Sequence, residues 1–354
     1  MNKKIIFFKP FLAFVIFFFA CYCIGAFPMR DNYKKNIQTQ PDEAVFTQKL
    51  KSALTYLESA CGKDGIKKVV VLREGKTVFK GVASEVTQNI WSCSKSFTGT
   101  VLGLLIAEGK CSLDDKVCKY IPGLKEYYPD VTFRNFATMT SGYNAIGDDT
   151  AGDHGQSKTP FQPSTKPLFA PGTQFRYWDS AMNMFALALT NVAGEPIKEY
   201  FKEKVAYPIG MDPEKWDWKD FGLIDGITVN GGAGNKSKGI FISATELAKF
   251  GQLFLNEGSW NGQQIILAQW IKEATSPQII NIIPGDDTPY GFNWWTSGCF
   301  PDAPKGTFAA KGFNNNKCII IPEWKIVVAR LGLDGNIDDG KWNNFIKILS
   351  EAFK

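Results

Sequence analysis

Apolar positions along the chain follow two rhythms, and their order lays out a fold. Phe46, Leu50, Leu54 and Leu57 recur at every third or fourth residue between Glu43 and Ala60, which is one face of an amphipathic helix. Val69-Val70-Val71-Leu72, then Glu74-Gly75-Lys76, then Thr77-Val78-Phe79 read as strand, turn and strand, an antiparallel hairpin. The helical rhythm returns in Phe97, Val101, Leu104 and Leu105 and stops at Gly109. Phe133 to Met139 predicts a short helix ending at Thr140-Ser141-Gly142. From Tyr143 to Pro171 the chain is polar and rich in Gly, Asp and Pro, and loops of that length in compact domains are usually functional or mobile.

Helices are expected over Ala181 to Val192 and Glu195 to Val205, the second ended by Tyr207-Pro208-Ile209-Gly210-Met211. Gly231-Gly232-Ala233-Gly234 reads as a flexible turn and lacks the spacing of a phosphate loop. Ser243-Ala244-Thr245-Glu246 is a capping box for a helix reaching Leu255, and Leu267 to Ala274 is helical again. The last third turns to strands at Gly291 to Trp295, Thr307 to Ala310, Cys318 to Ile321 and Ile326 to Arg330. Trp342 to Phe353 closes the chain as a helix. Strands at both ends and helices between them predict an α+β fold. Its antiparallel sheet is assembled from both termini, about residues 43–110 and 235–354, and flanked by helices, that of Ser92 among them. A mainly helical insertion spans about residues 111–234.

The first 27 residues change the picture of where the domain works. Met1-Asn2-Lys3-Lys4 is cationic and Ile5 to Ala26 is apolar, interrupted at Lys9-Pro10. The uninterrupted stretch from Phe11 to Phe27 is marginal for a membrane span, so residues 1–27 read as an export signal. Phe18-Phe19-Ala20-Cys21 resembles a lipoprotein box in which Cys21 would be lipidated; Gly25-Ala26 is the other cleavage point. Residues 28–42 form a polar tether before the domain at 43–354. The expected location is outside the cytoplasm, periplasmic or attached to the membrane through the N-terminus.

Composition narrows the chemistry. A formal charge of +5 over 354 residues, with no basic stripe, gives no sign of a nucleic-acid partner. Eight cysteines without C-x-x-C spacing do not suggest zinc, and one histidine, His154, rules out a site that needs two. Cys111 and Cys118 are close enough in sequence to bridge, and Cys93 reads as a buried, inert thiol. Neither a metal nor a cofactor is called for.

The stretch from Ile90 to Thr100 carries the candidate chemistry. Ser92 falls at the first turn of the Phe97 helix with Lys95 on the same face. A serine hydroxyl needs a neighbouring base, and burial makes a lysine available as one by disfavouring its ammonium form. Lys95 is therefore expected to be largely neutral or proton-sharing. Alone, S-x-x-K is equally a helix N-cap and a solvated lysine. Four further landmarks follow in order: Met139-Thr140-Ser141-Gly142-Tyr143, Pro171 to Tyr177, Pro208-Ile209-Gly210-Met211 and Tyr290 to Trp295.

With these landmarks, the chain from about Glu43 onward resembles the serine β-lactamase and penicillin-binding-protein superfamily, in its class C-like branch. The resemblance implies a β-lactamase/transpeptidase-like fold and a serine acyl hydrolase that forms a covalent acyl-enzyme on Ser92. Its substrate would be a small molecule or short peptide, as ester, amide, peptide or β-lactam. A true class C-type β-lactamase, a D-amino-acid carboxypeptidase and a non-hydrolytic penicillin-binding sensor stay open as alternatives.

The resemblance also implies that Tyr177 shares the base role and later protonates the leaving group. At position 179 the branch carries Asn and this chain carries Asp. Asp179 has three readings: capping the next helix, pairing with Lys95, or binding a cationic substrate group. The third box falls on Ala310 to Asn316, where Lys311, Gly312 and Asn314 are the substrate-binding candidates and Lys-Thr-Gly is absent. That loss weakens the case for a carboxylate-bearing antibiotic. A Ser-His-Asp triad through His154 lacks its G-x-S-x-G signature.

Overall fold

The computed structural model describes residues 42–333 and 338–354. The expected signal and nearly all of the tether lie outside the described residues. Among these, no helix is long and apolar enough to cross a membrane.

Helix α1 (Glu43–Ala60) begins where Asp42 accepts the backbone N–H of Ala44 at 2.8 Å, and it buries the four apolar residues of its stripe. Strands β1 (Val69–Arg73) and β2 (Lys76–Lys80) form the expected hairpin. After β3 (Gln88–Asn89), a 3₁₀ turn over Trp91–Cys93 enters α2 (Ser94–Ala107). Next come α3 (Phe133–Ala137), α4 (Asp179–Ala193), α5 (Ile197–Phe201), β4 (Trp216–Ile224), β5 (Ile227–Asn230) and β6 (Gly239–Ile242). They are followed by α6 (Ala244–Leu255), β7 (Ser259–Trp260), β8 (Gln263–Gln264), α7 (Ala268–Ala274) and α8 (Ile279–Ile282). The chain ends with β9 (Phe308–Gly312), β10 (Asn316–Ile321), β11 (Ile326–Arg330) and α9 (Asp339–Ser350).

The central sheet runs β2-β1-β11-β10-β9, antiparallel throughout. Strands from both ends of the domain therefore meet in its middle, with Val71 opposite Val328. Alternate residues serve opposite faces. Val69, Val71, Ile319 and Val328 pack with α1 and α9, whereas Val70, Leu72, Cys318 and Val327 pack with α2 and α6. An antiparallel sheet covered on both sides needs unbroken apolar strands, which accounts for Cys318-Ile319-Ile320-Ile321. Helix α6 comes very close at Gly251, where a Cβ would lie 2.6 Å from Val327 Cγ1.

The structure differs from the sequence reading at four places. A second sheet, β3-β6-β4-β5, was not foreseen, although Trp216 and Trp218 alternate with Asp217 and Lys219 as a half-buried strand should. Gly291 to Trp295 is no strand: Asn293 is left-handed at φ 61° and only Trp295 makes bridges, to Tyr290 and Ala309. The helix expected from Glu195 to Val205 is α5 followed by a π turn over Lys202–Ala206. Cys111 and Cys118 are both free thiols, so they form no bridge.

Leu57 is fully buried between α1 and the sheet. Leu57→Ala should lower unfolding stability by about 2–5 kcal/mol, read as a lower denaturant midpoint.

Candidate active site

The second sheet aims the nucleophile candidate. Asn89, at the end of β3, accepts the Trp91 backbone N–H at 2.6 Å. Trp91 itself is left-handed at φ 50°, a conformation a bulky side chain rarely adopts, and the turn it makes sets Ser92 at the mouth of a cleft. Lys95 follows on the next helical turn, 1% exposed.

The Lys95 ammonium has three donors and three acceptors. Its Nζ donates to Ser92 Oγ at 2.8 Å, to Asp179 Oδ1 at 2.7 Å and to the Ala233 carbonyl at 2.9 Å. Lys95 is thus one half of a buried ion pair with Asp179, one of the readings open for position 179. Asp179 is the first residue of α4, and Trp178 occupies the capping position, so pairing with Lys95 displaces the cap reading. Its other oxygen accepts Gln156 Nε2 at 3.1 Å, and its backbone N–H donates to the His154 carbonyl at 2.6 Å. Each buried charge is met by specific hydrogen bonds, the condition under which such a pair is tolerated.

Tyr177 is half-buried beside this pair. Lys95 Nζ sits 4.5 Å from its ring centroid, over the face of the ring. The ring stacks on Trp295 at 5.9 Å and meets His154 edge-on at 5.9 Å. Burial pushes the Tyr177 phenol well above its ordinary range and the Asp179 carboxylate pushes the same way, while the Ser92 side chain pulls it down.

Ser92, Tyr177, Asp179, Lys311 and Gly312 all line one cleft of about 580 Å³. Asn314 does not line it; Phe313 does, its ring 5.1 Å from that of Trp91. Lys311 contributes its stem, but its ammonium is held by Asp339 Oδ2 at 2.9 Å and lies 4.6 Å from the Phe300 ring. Gly312 presses β9 against the nucleophile turn, where a Cβ would lie 2.2 Å from the Ile90 carbonyl.

Comparison with known proteins identifies the family. The profile of the family described as Beta-lactamase matches residues 68–332. The chain belongs to the beta-lactamase family. Its fold is α+β. A β-lactamase of Pseudomonas fluorescens is 28% identical over 40% of this chain and 43% of its own length. The D-alanyl-D-alanine-carboxypeptidase/endopeptidase AmpH of Escherichia coli K12 is 29% identical over 34% of each chain. The chain thus spans less than half the length of either relative. Among solved structures, EstCE1, a hydrolase with promiscuous acyltransferase activity, shares the fold with a TM-score of 0.63. It is 17% identical, over 87% of this chain and 99% of its own.

Several residues of this site were not picked out from the sequence. The supposed flexible turn at Gly231 to Gly234 is buried and packed on the Ser92 helix. Gly232 accepts Thr98 Oγ1 at 3.1 Å, Ala233 accepts Lys95, and the Ala233 N–H donates to Asn183 Oδ1 at 3.1 Å. The legible signal was the glycine run itself, which permits close backbone approach. Asp148 ties the long loop to the start of α4. It accepts the Ser157 N–H at 2.9 Å, Ser180 Oγ at 2.6 Å and Trp178 Nε1 at 3.0 Å. That tie carries Gln156 to Asp179, and no spacing in the sequence announced it.

Gly234 combines φ +77° with a Cβ position 1.9 Å from the Trp91 carbonyl. Gly234→Ala should move the Ser92 turn and cut turnover roughly 100-fold, checked by steady-state kinetics beside thermal unfolding of the variant.

Proposed function

We propose that this beta-lactamase-family hydrolase works through a covalent acyl-enzyme on Ser92 and acts on a small neutral ester, amide or short peptide. The observation that carries the proposal is the 2.8 Å contact between Lys95 Nζ and Ser92 Oγ, with the other donors of Nζ fixed on Asp179 and Ala233.

The ion pair supplies the base. As Ser92 Oγ attacks the carbonyl, its proton passes to Lys95 while Lys95 gives one to Asp179, so the proton comes to rest on the carboxylate. The Ser92 N–H and the backbone of β9 at Gly312 would receive the oxyanion. Tyr177, kept as a phenol by its raised pKa, donates to the leaving group and is re-protonated from the pair. In deacylation the pair takes a proton from water and Ser92 recovers its own. Tyr177 is thereby a donor, and the base role first assigned to it passes to Lys95 and Asp179.

Neighbouring nucleophiles are poor rivals. Burial pushes the Cys93 thiol up to about 12, and Ser94 is fully buried with its Oγ accepting the Ile240 N–H at 2.8 Å. Both lysine ammonium groups at the cleft are engaged by carboxylates, which favours substrates without a carboxylate beside the scissile bond.

Ser92→Ala, Lys95→Ala and Asp179→Asn should each lose about 10³-fold or more in turnover, and Tyr177→Phe should lose most activity. Combining Lys95→Ala with Asp179→Asn should cost little more activity than the worse single change. Lys95→Ala leaves a buried carboxylate unpaired, so it should also destabilise by about 3–5 kcal/mol, and the double variant should recover much of that. Because the raised pKa keeps Tyr177 protonated, the rate should not fall through the ordinary tyrosine range as pH rises; a Tyr177-dependent loss there would contradict the donor role. The substrate panel is nitrocefin, short-chain nitrophenyl esters and D-amino-acid peptides. Mass spectrometry with a slow substrate should place the adduct on Ser92; an adduct on Cys93 or Ser94 would end the assignment, and labelling without turnover would indicate a sensor.

The same proposal has residues 1–27 directing export, with attachment through the N-terminus. Fractionation of the native host should find a processed form outside the cytoplasm, and full-length protein in the cytosol would refute it.

A further inference from the structure

Two aromatic rings stand at the Ser92 cleft on backbone that non-glycine residues seldom adopt. Trp91 and Phe313 both line the cleft, with ring centroids 5.1 Å apart and ring planes at 68°. Trp91 is itself left-handed, and the turn that carries Phe313 continues through Asn314 and Asn315, left-handed at φ 60° and 61°. Side chains held in that region store strain, and such strain collects at ligand and active sites.

The two turns are locked to each other and to the core. Gly312, the residue before Phe313, lies so close to the nucleophile turn that a Cβ would meet the Ile90 carbonyl at 2.2 Å. Beneath the Phe313 turn, the fully buried Arg330 of β11 donates to the Asn315 carbonyl at 3.0 Å. Trp342 Nε1 of α9 donates to Asn315 Oδ1 at 3.2 Å, and Asn316 Nδ2 donates to the Phe313 carbonyl at 2.6 Å. Both rings therefore hold fixed positions relative to Ser92, the neighbour of Trp91 in the chain.

This framework does not bury Phe313, which is 59% exposed. A lone exposed Phe is ordinary surface; one held out by strained backbone at the cleft of a nucleophile is not. Rings that meet edge to face leave room for a third, and aromatic groups gain from such arrangements beyond the area they bury. The group that joins them should be neutral, because the Lys311 ammonium on this side of the cleft is already held by Asp339 at 2.9 Å.

Resting on the acyl-enzyme reading, we propose that Trp91 and Phe313 form a specificity corner for a neutral planar ring, so the substrates are esters or amides that carry an aryl group close to the scissile bond. A saturated group of the same size would touch the same surface but forgo the ring-to-ring contact.

The test uses two pairs of esters that differ only in whether a six-membered ring is aromatic. Ethyl phenylacetate against ethyl cyclohexylacetate places the ring on the acyl side. Benzyl acetate against cyclohexylmethyl acetate places it on the leaving group. Each kcat/KM is divided by the rate of alkaline hydrolysis of the same ester. The wild-type ratio, aromatic over saturated, should be about 3 to 10 in one pair, and that pair identifies the side on which the ring binds. In Phe313→Ala the ratio should fall to near 1, and in Phe313→Tyr, which keeps a ring, it should persist. A wild-type ratio near 1 in both pairs marks a plain apolar surface and overturns the proposal. So does a ratio undiminished in Phe313→Ala or lost in Phe313→Tyr. If Phe313→Ala is unfolded by thermal melting, Phe313→Leu replaces it, with the same expected ratio near 1 and the same overturning result. A wild-type protein that hydrolyses no ester and takes no fluorophosphonate on Ser92 brings down the acyl-enzyme reading, and this proposal with it. One that is labelled on Ser92 yet shows no aromatic preference, or turns over none of the four esters, brings down this proposal alone.

Discussion

Everything about the site depends on one buried ion pair. Lys95 and Asp179 come from different helices, α2 and α4, and almost no solvent reaches either. Two charges in that position are tolerable only if each is hydrogen-bonded on all sides, and the surrounding chain is arranged to meet that demand. The Gly231 to Gly234 segment packs close so that a carbonyl can reach Lys95, and the long loop folds back so that Gln156 can reach Asp179. Ser92 completes the set as the third acceptor of the lysine. The geometry at Ser92 and the solvation of the pair are one arrangement, so neither can be altered without the other.

The aspartate at position 179 sets the electrostatics of the site. An asparagine there could present a donor to a ligand, whereas an aspartate can only accept. With Asp179 facing Lys95, the centre of the site is neutral as a pair and polarised along the Lys95–Asp179 direction. Recognition of ligand amides then has to come from elsewhere on the cleft wall. On the β9 side of the cleft, Asp339 from α9 is shared by Lys311 and Lys317.

Most of the fold was legible in the sequence because its elements are periodic and locally capped. Asp42, Ser243 and the Glu74-Gly75 turn mark their boundaries with local chemistry, and α1, β1, β11 and α6 fall within a residue or so of where pattern placed them. Ser92, Lys95 and Tyr177 were visible as motif residues, and the structure brings them together. What the sequence hid depends on distant partners. Gln156 and Ala233 have no motif of their own and matter only because α4 and the second sheet bring them to Ser92. Gly291 to Trp295 looked like a strand because its residues are apolar and aromatic, but the left-handed backbone at Asn293 ends any extended run. For Asp179 the sequence left three readings open, and only the approach of α4 to α2 selects the pairing with Lys95.

The central sheet has a consequence for how the enzyme comes into being. β1 lies between β2 and β11, so one of its two neighbours is made only after nearly the whole domain has been synthesised. Such long-range pairing is slow to form. Until β11 arrives, both edges of the hairpin are bare, and β9, which lines the cleft beside Ser92, has no sheet to join. A chain emerging from the ribosome therefore carries Ser92 and Lys95 long before it has a cleft. Its chemistry is withheld by topology until the last strands are in place, and premature termination anywhere before β11 would yield an inert chain with exposed strand edges, material for proteolysis or aggregation.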